Sequence, residues 1–438
     1  MKHFFLYSTL FILSSFSLCE AQQTSLDTLR IMSYNTLNYG FASSDDCPAL
    51  ITDNKNIWLK TVVQYMQPDI LGLVKMDATP ISFTTDTVIQ AALDTGYDHT
   101  PYTNNSGYEK ENMLYFKKSK IGLISTTTIY SGDQNISDIN LHRLFYKSPY
   151  LATTHDTVFL NIILVHLESG SSSTSERATE IQGAMTWMNS HIKAPGNYIF
   201  MGDFNVTSSN EGCFQQLINS TNPDTKFVEP TGQLGDWSNN PSQFALYLTQ
   251  SPRLNDPGDC GATGGLNDWL DHILCSPYIM QGADSVTYIP GTFHVIGQDG
   301  LHTSQDLLAA PQDTVVPSNV LNALYYMSSH LPVTLQLEIK TPDTIRQVSN
   351  ALTNIQAQEG SWQYSHLVYD NLSIRSPGNN AVPRDYRVTI YDMQGRRLRE
   401  VTFTGTVPVS DLTDGVYILV ISRQNLPITS GRFVKVSR

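Results

Sequence analysis

Seven polar side chains stand where apolar strands of this sequence end: Asn35 after IMSY, His166 after IILV, Asp203 and Asn205 in IFMGDFN, Asp271 and His272 in WLDHIL, and His330 in SSHLPV. Imidazoles, carboxylates and carboxamides are the groups that move protons, align a nucleophile and stabilise charge. Any one of them alone reads as a turn residue or a satisfied core histidine. As a set they read differently. Polar strand ends drawn from distant parts of a chain, converging on one rim of a sheet, are how α/β enzymes build a site.

The elements that must carry these residues are legible as patterns. LRIMSYNTL, DILGLV, NMLYF, VFLNIILVHL, NYIFMGDF, WLDHILC and PVTLQLEI have the alternating or continuous apolar character of strands. SERATEIQGAMTWMNSHI has helical spacing, with Ile181, Ala184, Met185 and Met188 on one face. Strands alternating with helices predict an α/β body over residues 22–341. The stretch 206–268, rich in Asn, Gly, Pro and Ser, predicts long surface loops. Polar sequence over 342–361 reads as a linker. Short strands split by turns such as MQGR and TDGV then predict an all-β module over 362–438.

Composition bounds the rest. The chain has 438 residues, 40% hydrophobic and 15% charged, which is globular and long enough for more than one domain. The net charge of −13 argues against broad non-specific nucleic-acid binding, which needs a basic footprint. That charge is uneven. Residues 362–438 hold ten Lys/Arg against six Asp/Glu, a net of +4, while residues 22–361 carry −17, which supports a domain boundary. The start, MKHFFLYSTLFILSSFSLCEAQQ, reads as a signal peptide over residues 1–21, and Phe16-Ser17-Leu18 before Cys19 is a poor lipoprotein signal. No other segment approaches a transmembrane span. Beyond the signal, Cys47, Cys213, Cys260 and Cys275 allow up to two disulfides in three pairings, and their spacing is not that of a zinc site.

Six segments in order, MSYNTLNYG, PDILGLVKM, VHLESG with Arg177 and Gln182 beyond it, GDFNV, GGLNDWLDHIL and SSHLPV, resemble the endonuclease/exonuclease/phosphatase superfamily and span 31 to about 338. The resemblance implies a four-layer α/β sandwich and hydrolysis of phosphate esters, in nucleic acid or a phospholipid headgroup, assisted by a divalent metal, usually magnesium (Mg2+). It implies that Asn35 lies beside the metal, that Asp203 orients or activates water, and that Asn205 and His166 contact phosphate. It also implies that Asp271 orients a catalytic His330 and that Arg177 serves the substrate. A histidine fixed by a carboxylate has a defined tautomer, which suits proton transfer.

Two positions depart from that pattern. Lys75 stands where the family places its main metal-binding glutamate, and Ser329 stands where it places an aspartate. Magnesium takes oxygen ligands and usually one or two carboxylates. At ~4 Å and an effective dielectric of ~20, two unit charges interact by about 4 kcal/mol, so an ammonium at this point weakens a divalent site strongly. Three readings follow: a binding module without catalysis, a Lys75 ammonium in the metal's place within the pocket, or rescue of the metal by Asp77, with Glu109 and Glu111 as further acidic candidates. In the second, Asp203 is the expected partner of the Lys75 charge, with Asp77 the next candidate.

The tail resembles the C-terminal sorting domain of type IX secretion found in Bacteroidetes, on IYDMQGR, DLTDGVYIL and the terminal RFVKVSR. This implies a small immunoglobulin-like sandwich, the type IX secretion machinery as a partner, and a secreted or cell-surface location. Deleting 362–438 is expected to leave the body folded and to stop surface delivery. Fractionation of cells expressing the truncated chain checks this; normal surface display would remove the sorting reading.

Overall fold

In the computed structural model, the described residues are 24–41, 47–48, 50–154, 157–342, 362–376, 386–392, 396–423 and 426–437. The expected signal peptide and residues 343–361 of the expected linker lie outside them. The chain divides into two compact units with the boundary between Ile345 and Arg346.

The first unit runs β1 (Thr24–Tyr39), α1 (Thr52–Met66), β2 (Ile70–Asp77), β3 (Tyr97–His99), β4 (Lys110–Lys117), β5 (Ile121–Tyr130) and β6 (Ile139–Tyr146). It continues through α2 (Leu151–Thr154), β7 (Val158–His166), α3 (Thr174–His191), β8 (Tyr198–Asp203), α4 (Gly212–Ile218), β9 (Asp271–Cys275) and α5 (Pro277–Gln281). It ends with β10 (Val286–Tyr288), β11 (His294–Val295), α6 (Ser318–Met327) and β12 (Val333–Pro342). Two mixed sheets result. One has the order β10-β12-β1-β2-β4-β3, with β11 also on β12; the other has the order β5-β6-β7-β8-β9.

The sheets pack face to face on one core, and Gly72 of β2 lies close against the second sheet. A Cβ there would lie 2.6 Å from Leu164 Cδ1 on β7 and 2.8 Å from Met201 Cε on β8. Helices α1 and α6 pack together and α3 and α4 pack together, all feeding apolar faces into that core. On α3 the buried residues include Ile181, Ala184, Met185 and Met188, the face read from the sequence. On α6, Val320, Leu321, Ala323, Leu324 and Met327 follow the helical repeat inward. Strands β5 and β6 were not legible as strands. Thr126 and Thr127 break up the apolar run of the first, and Asn140 and His142 occupy buried positions of the second. The 206–268 stretch is largely irregular, as expected, apart from α4 and a short 3-10 turn at Ala245–Tyr247.

Two crosslinks hold the loops at one end of the sandwich. Cys47 and Cys260 form a disulfide, while Cys213 and Cys275 are buried and free, so one of the two possible bridges exists. The second crosslink is Lys55 on α1. Its buried Nζ donates to Thr36 O (3.1 Å), Leu37 O (2.8 Å) and Met327 O (2.7 Å), joining the end of β1 to the end of α6. Burial pulls its pKa down to about 7, with Asp259 opposing. Three carbonyls at this range use all three N–H bonds of the charged form.

The second unit carries β13 (Gln363–Tyr364), β14 (Leu367–Val368), β15 (Asn371–Arg375), β16 (Tyr386–Tyr391), β17 (Arg397–Thr402), β18 (Thr406–Pro408), β19 (Gly415–Arg423) and β20 (Leu426–Lys435). Their sheets, β14-β20-β19-β16-β17 and β13-β15-β18, share a core of Leu372, Ile374, Val388, Ile390, Val407, Leu419 and Phe433. This is the all-β module read from the strand and turn pattern, and the small sandwich that the resemblance implied. Most of the MQGR turn falls outside the described residues.

Lys55→Met is expected to destabilise the first unit by about 2–4 kcal/mol, because three buried carbonyls lose a charged donor. Urea unfolding checks it; a change within ±0.5 kcal/mol, as is usual at a surface site, would mean the clamp contributes nothing.

Candidate active site

The site begins in sheet register. His166 at the end of β7 sits opposite Asp203 of β8, and Asp203 sits opposite Asp271 of β9. Registered neighbours share a face, so the three side chains form one row. Gly202 permits the close strand approach. Its φ is +141°, and a Cβ there would lie 1.9 Å from the Val165 carbonyl oxygen, so only glycine fits. His272, one residue past Asp271, alternates to the other face. Its ring packs among Phe204, Phe214, Trp237 and Trp269, and burial pulls its pKa down to about 3. It is a core histidine outside the site.

The other sheet supplies Asn35, Lys75 and, from the loop before β12, His330. Asn35 Nδ2 donates to Asp203 Oδ2 at 2.7 Å. Ser328 Oγ donates to the Asn35 carbonyl at 2.7 Å and accepts from the His330 backbone N–H at 3.1 Å, which fixes the two segments together. His330 Nδ1 lies 2.7 Å from Asp271 Oδ2, the orienting contact expected from the sequence. Its Nε2 receives the Gln250 side-chain amide at 2.7 Å and faces Asp203 Oδ2 at 3.8 Å. With Gln250 donating, Nδ1–H points at Asp271 and Nε2 is left as the acceptor. His166 Nε2 is 3.7 Å from the same Asp203 oxygen and, although buried, has no hydrogen-bond partner.

Electrostatics follow from this packing. Burial works to lower the His330 pKa, but the Asp271 and Asp203 carboxylates outweigh it, so the value stands above that of an ordinary histidine. For His166, burial, then Lys75 and His330, push the value well below the ordinary one, so the ring is neutral. Burial raises the Asp203 carboxyl, with His330 opposing and Asp271 adding to the rise.

Lys75 sits in a bulge. The β2–β4 register shifts between Leu73 and Met76, and Lys75 adopts φ +59°, a left-handed conformation uncommon outside glycine. Its charge acts on Asp203, His166 and His330. Burial lowers its pKa, with Asp203 opposing and Lys110 adding to the fall. Its Nζ has no hydrogen-bond or ion-pair partner among the described residues. The expected ion pair with Asp203 is therefore not formed. Both carboxylate oxygens of Asp203 already accept hydrogen bonds, from Asn35 Nδ2 and from the Asn205 backbone N–H at 2.9 Å.

Other expected residues fall elsewhere. The Asn205 side chain donates to Leu167 O at 2.8 Å, bracing the loop after His166. Arg177 is buried and its donors are committed to Glu211 (2.6 and 3.2 Å), Glu168 O (3.1 Å) and Gly170 O (2.8 Å), so the guanidinium holds protein and not substrate. Asp77 is not among the residues whose ligand atoms cluster. The bulge at Lys75 breaks the alternation that would align the two, and the Asp77 carboxylate accepts from Thr79 N at 2.8 Å. Glu109 pairs with Lys110 at 3.4 Å. Glu111 is buried, and burial with Asp138 beside it raises its carboxyl to about 8.

Among the described residues, Asp203, Asp271 and His330 bring ligand atoms within 4.8 Å of one another, a buried group that could hold a metal ion. The set does not fit magnesium. One Asp271 oxygen is on His330, both Asp203 oxygens are occupied, Asn35 Oδ1 accepts from Leu37 N at 2.9 Å, and the nearby free charge is an ammonium. Ser329 is buried and adds no carboxylate. Hard dications need several free oxygen donors, and in this set only Asp271 Oδ1 is buried without a hydrogen-bond partner.

Sequence reasoning missed Gln250, Lys55 and Asn112. Gln250 lies in a loop without a pattern, and Lys55 looks like any exposed helix lysine. Asn112 of β4 accepts from the Lys75 backbone N–H at 3.3 Å, yet its own Nδ2 is buried without a partner.

Comparison with known proteins covers both units. Residues 368–435 match the secretion system C-terminal sorting domain. A search of curated proteins returned no match. Among solved structures, the chain is similar to an endonuclease/exonuclease/phosphatase family protein from Bacteroides thetaiotaomicron, at 13% identity and a TM-score of 0.45, over 72% of this chain and 99% of that one. It is similar to the human Nocturnin catalytic domain with bound sulfate anion, at 13% identity and 0.42, over 72% and 97%. It is also similar to a mannosyl-6-phosphatase of Bacteroides thetaiotaomicron VPI-5482, at 15% identity and 0.43, over 70% and 99%.

Asp271→Asn is expected to lower the His330 pKa, because the main opponent of burial loses its charge. A raised folded-state pKa contributes stability that is present below the unfolded value of about 6.5 and fades as pH rises through the folded one. The variant should lose that acid-side contribution. Titration of the His330 ring by NMR checks this, and an unchanged value would detach Asp271 from the imidazole.

Proposed function

We propose that the protein is an exported phosphoesterase-type hydrolase whose catalysis centres on His330. The observation that supports this most directly is the Asp271–His330 contact of 2.7 Å with Nε2 turned toward Asp203. In this reading Asp271 holds the imidazole in one tautomer. Gln250 releases Nε2 when substrate enters, and His330 exchanges a proton with the reacting oxygen. Asp203, held by Asn35 and the Asn205 backbone, positions the attacking water. His166 faces a non-bridging phosphate oxygen. A divalent ion, where a relative binds one, supplies positive charge to those oxygens; here the residues do not fit magnesium, and no step depends on it. The second unit carries the protein to the cell surface or beyond through the type IX machinery, which the match over 368–435 supports. Among the described residues no helix is long and apolar enough to cross a membrane.

A second reading, a surface protein that binds phosphate esters without hydrolysing them, draws on Lys75 and Ser329 standing in place of two carboxylates. A turnover screen on DNA, sphingomyelin and phosphomonoesters, with and without magnesium, separates the two. The hydrolase reading expects turnover of at least one substrate and its loss, by about 100-fold or more, in His330→Ala. Absence of turnover on all three classes would leave the binding reading.

A further inference from the structure

We infer that Lys75, Asn112 and His166 form an anion subsite that takes a phosphoryl group without a divalent metal. The inference rests on the proposal that this pocket is the phosphate site, and it deepens that proposal by naming the charge that would receive the anion.

Three side chains at this end of the sandwich lack partners of their own. The Lys75 ammonium has none among the described residues. His166 Nε2 and Asn112 Nδ2 are buried and unpaired, with their residues only 8% and 3% exposed. Buried polar atoms are nearly always hydrogen-bonded, so each of these calls for an explanation. They also share a place. Asn35 is registered with Val74 across the β1–β2 pair, and Asn112 lies on β4 directly opposite the bulge that carries Lys75. Gly72 faces the second sheet, so by alternation Val74 and Asn112 point to that same interior, as Asn35 does. His166 closes the pocket from the other sheet, and the Lys75 charge reaches it.

The bulge gives a local reason for the arrangement. A regular strand would alternate Lys75 to the outer face of its sheet. The left-handed φ of +59° turns it instead, and Thr36 Oγ1 holds the Lys75 carbonyl at 3.4 Å while Asn112 Oδ1 holds its N–H at 3.3 Å. Backbone strain of this kind persists only when the surroundings hold it, and it clusters at functional sites. Asp203 is the carboxylate whose charge acts on Lys75, and both its oxygens are already hydrogen-bonded. The three donors named here can be met together by an acceptor with several oxygens, and a phosphoryl group is one. An ammonium whose charge already acts on Asp203, His166 and His330 supplies the positive charge directly.

The test is calorimetric titration of the full chain with inorganic phosphate, in EDTA and again in magnesium. One phosphate per chain is expected in EDTA, with affinity unchanged by magnesium. Lys75→Met should weaken it about tenfold or more, and Lys75→Arg should keep most of it. Thermal unfolding of each variant identifies any that fail to fold. Lys75→Glu combined with Ser329→Asp should make phosphate binding magnesium-dependent. Wild-type binding that appears only with magnesium would overturn the inference, as would no binding in EDTA or full affinity in a folded Lys75→Met. The outcome is separable from that of the hydrolase proposal. Phosphate binding in EDTA without turnover of any ester removes hydrolysis alone, whereas magnesium-dependent turnover without phosphate binding in EDTA removes this subsite alone.

Discussion

A sheet register allows no partial error, because a slip of one residue turns every side chain to the opposite face. In the five-stranded sheet that rule decides the whole site. With β7, β8 and β9 in register, His166, Asp203 and Asp271 stand in a row facing the other sheet. Slip β8 by one and Phe204 takes the place of Asp203, a ring among groups that need hydrogen bonds. The glycine before Asp203 guards the register, since the Val165 carbonyl leaves no room for a Cβ. Everything the first sheet contributes, from the Asn35 amide to the His330 ring, is arranged around the carboxylates of that row.

The parts of the fold that sequence discloses are those where burial and alternation coincide. Strands β1, β2, β7, β8, β9 and β12 are apolar and buried along most of their length, and all could be read. So could five site positions: Asn35, His166, Asp203, Asp271 and His330, each a polar group ending an apolar run. Residues whose role depends on a distant backbone could not be read. Lys55 reaches carbonyls 18, 19 and 272 positions away, and nothing local marks it. Gln250 meets His330 across 80 residues from a loop without periodicity. Arg177 misled for the converse reason: a helix arginine near a motif suggests a ligand, but burial had already matched it with Glu211. Asp77 misled because a bulge is a local break in the rule used to place it.

The site is unusual in its balance of charge more than in its geometry. Both Asp203 oxygens and one Asp271 oxygen are engaged, while the other Asp271 oxygen and several donors are unpaired. A strand-end lysine reads from sequence as a solvated residue or as a lost ligand. In the fold it is a half-buried ammonium whose charge acts on two imidazoles and an aspartate, with its pKa lowered chiefly by burial.

The Cys47–Cys260 bond carries a consequence for where the molecule matures. It ties two segments 213 residues apart, and its second cysteine lies next to Asp259, which holds Arg253 at 2.7 Å; Arg253 in turn grips Tyr325 O at 2.7 Å near the end of α6. Thiols stay reduced in the cytosol and pair in oxidising compartments. The sorting-domain match points to export, so an oxidising compartment is where the loop that braces α6, two residues short of the Lys55 clamp, would be locked.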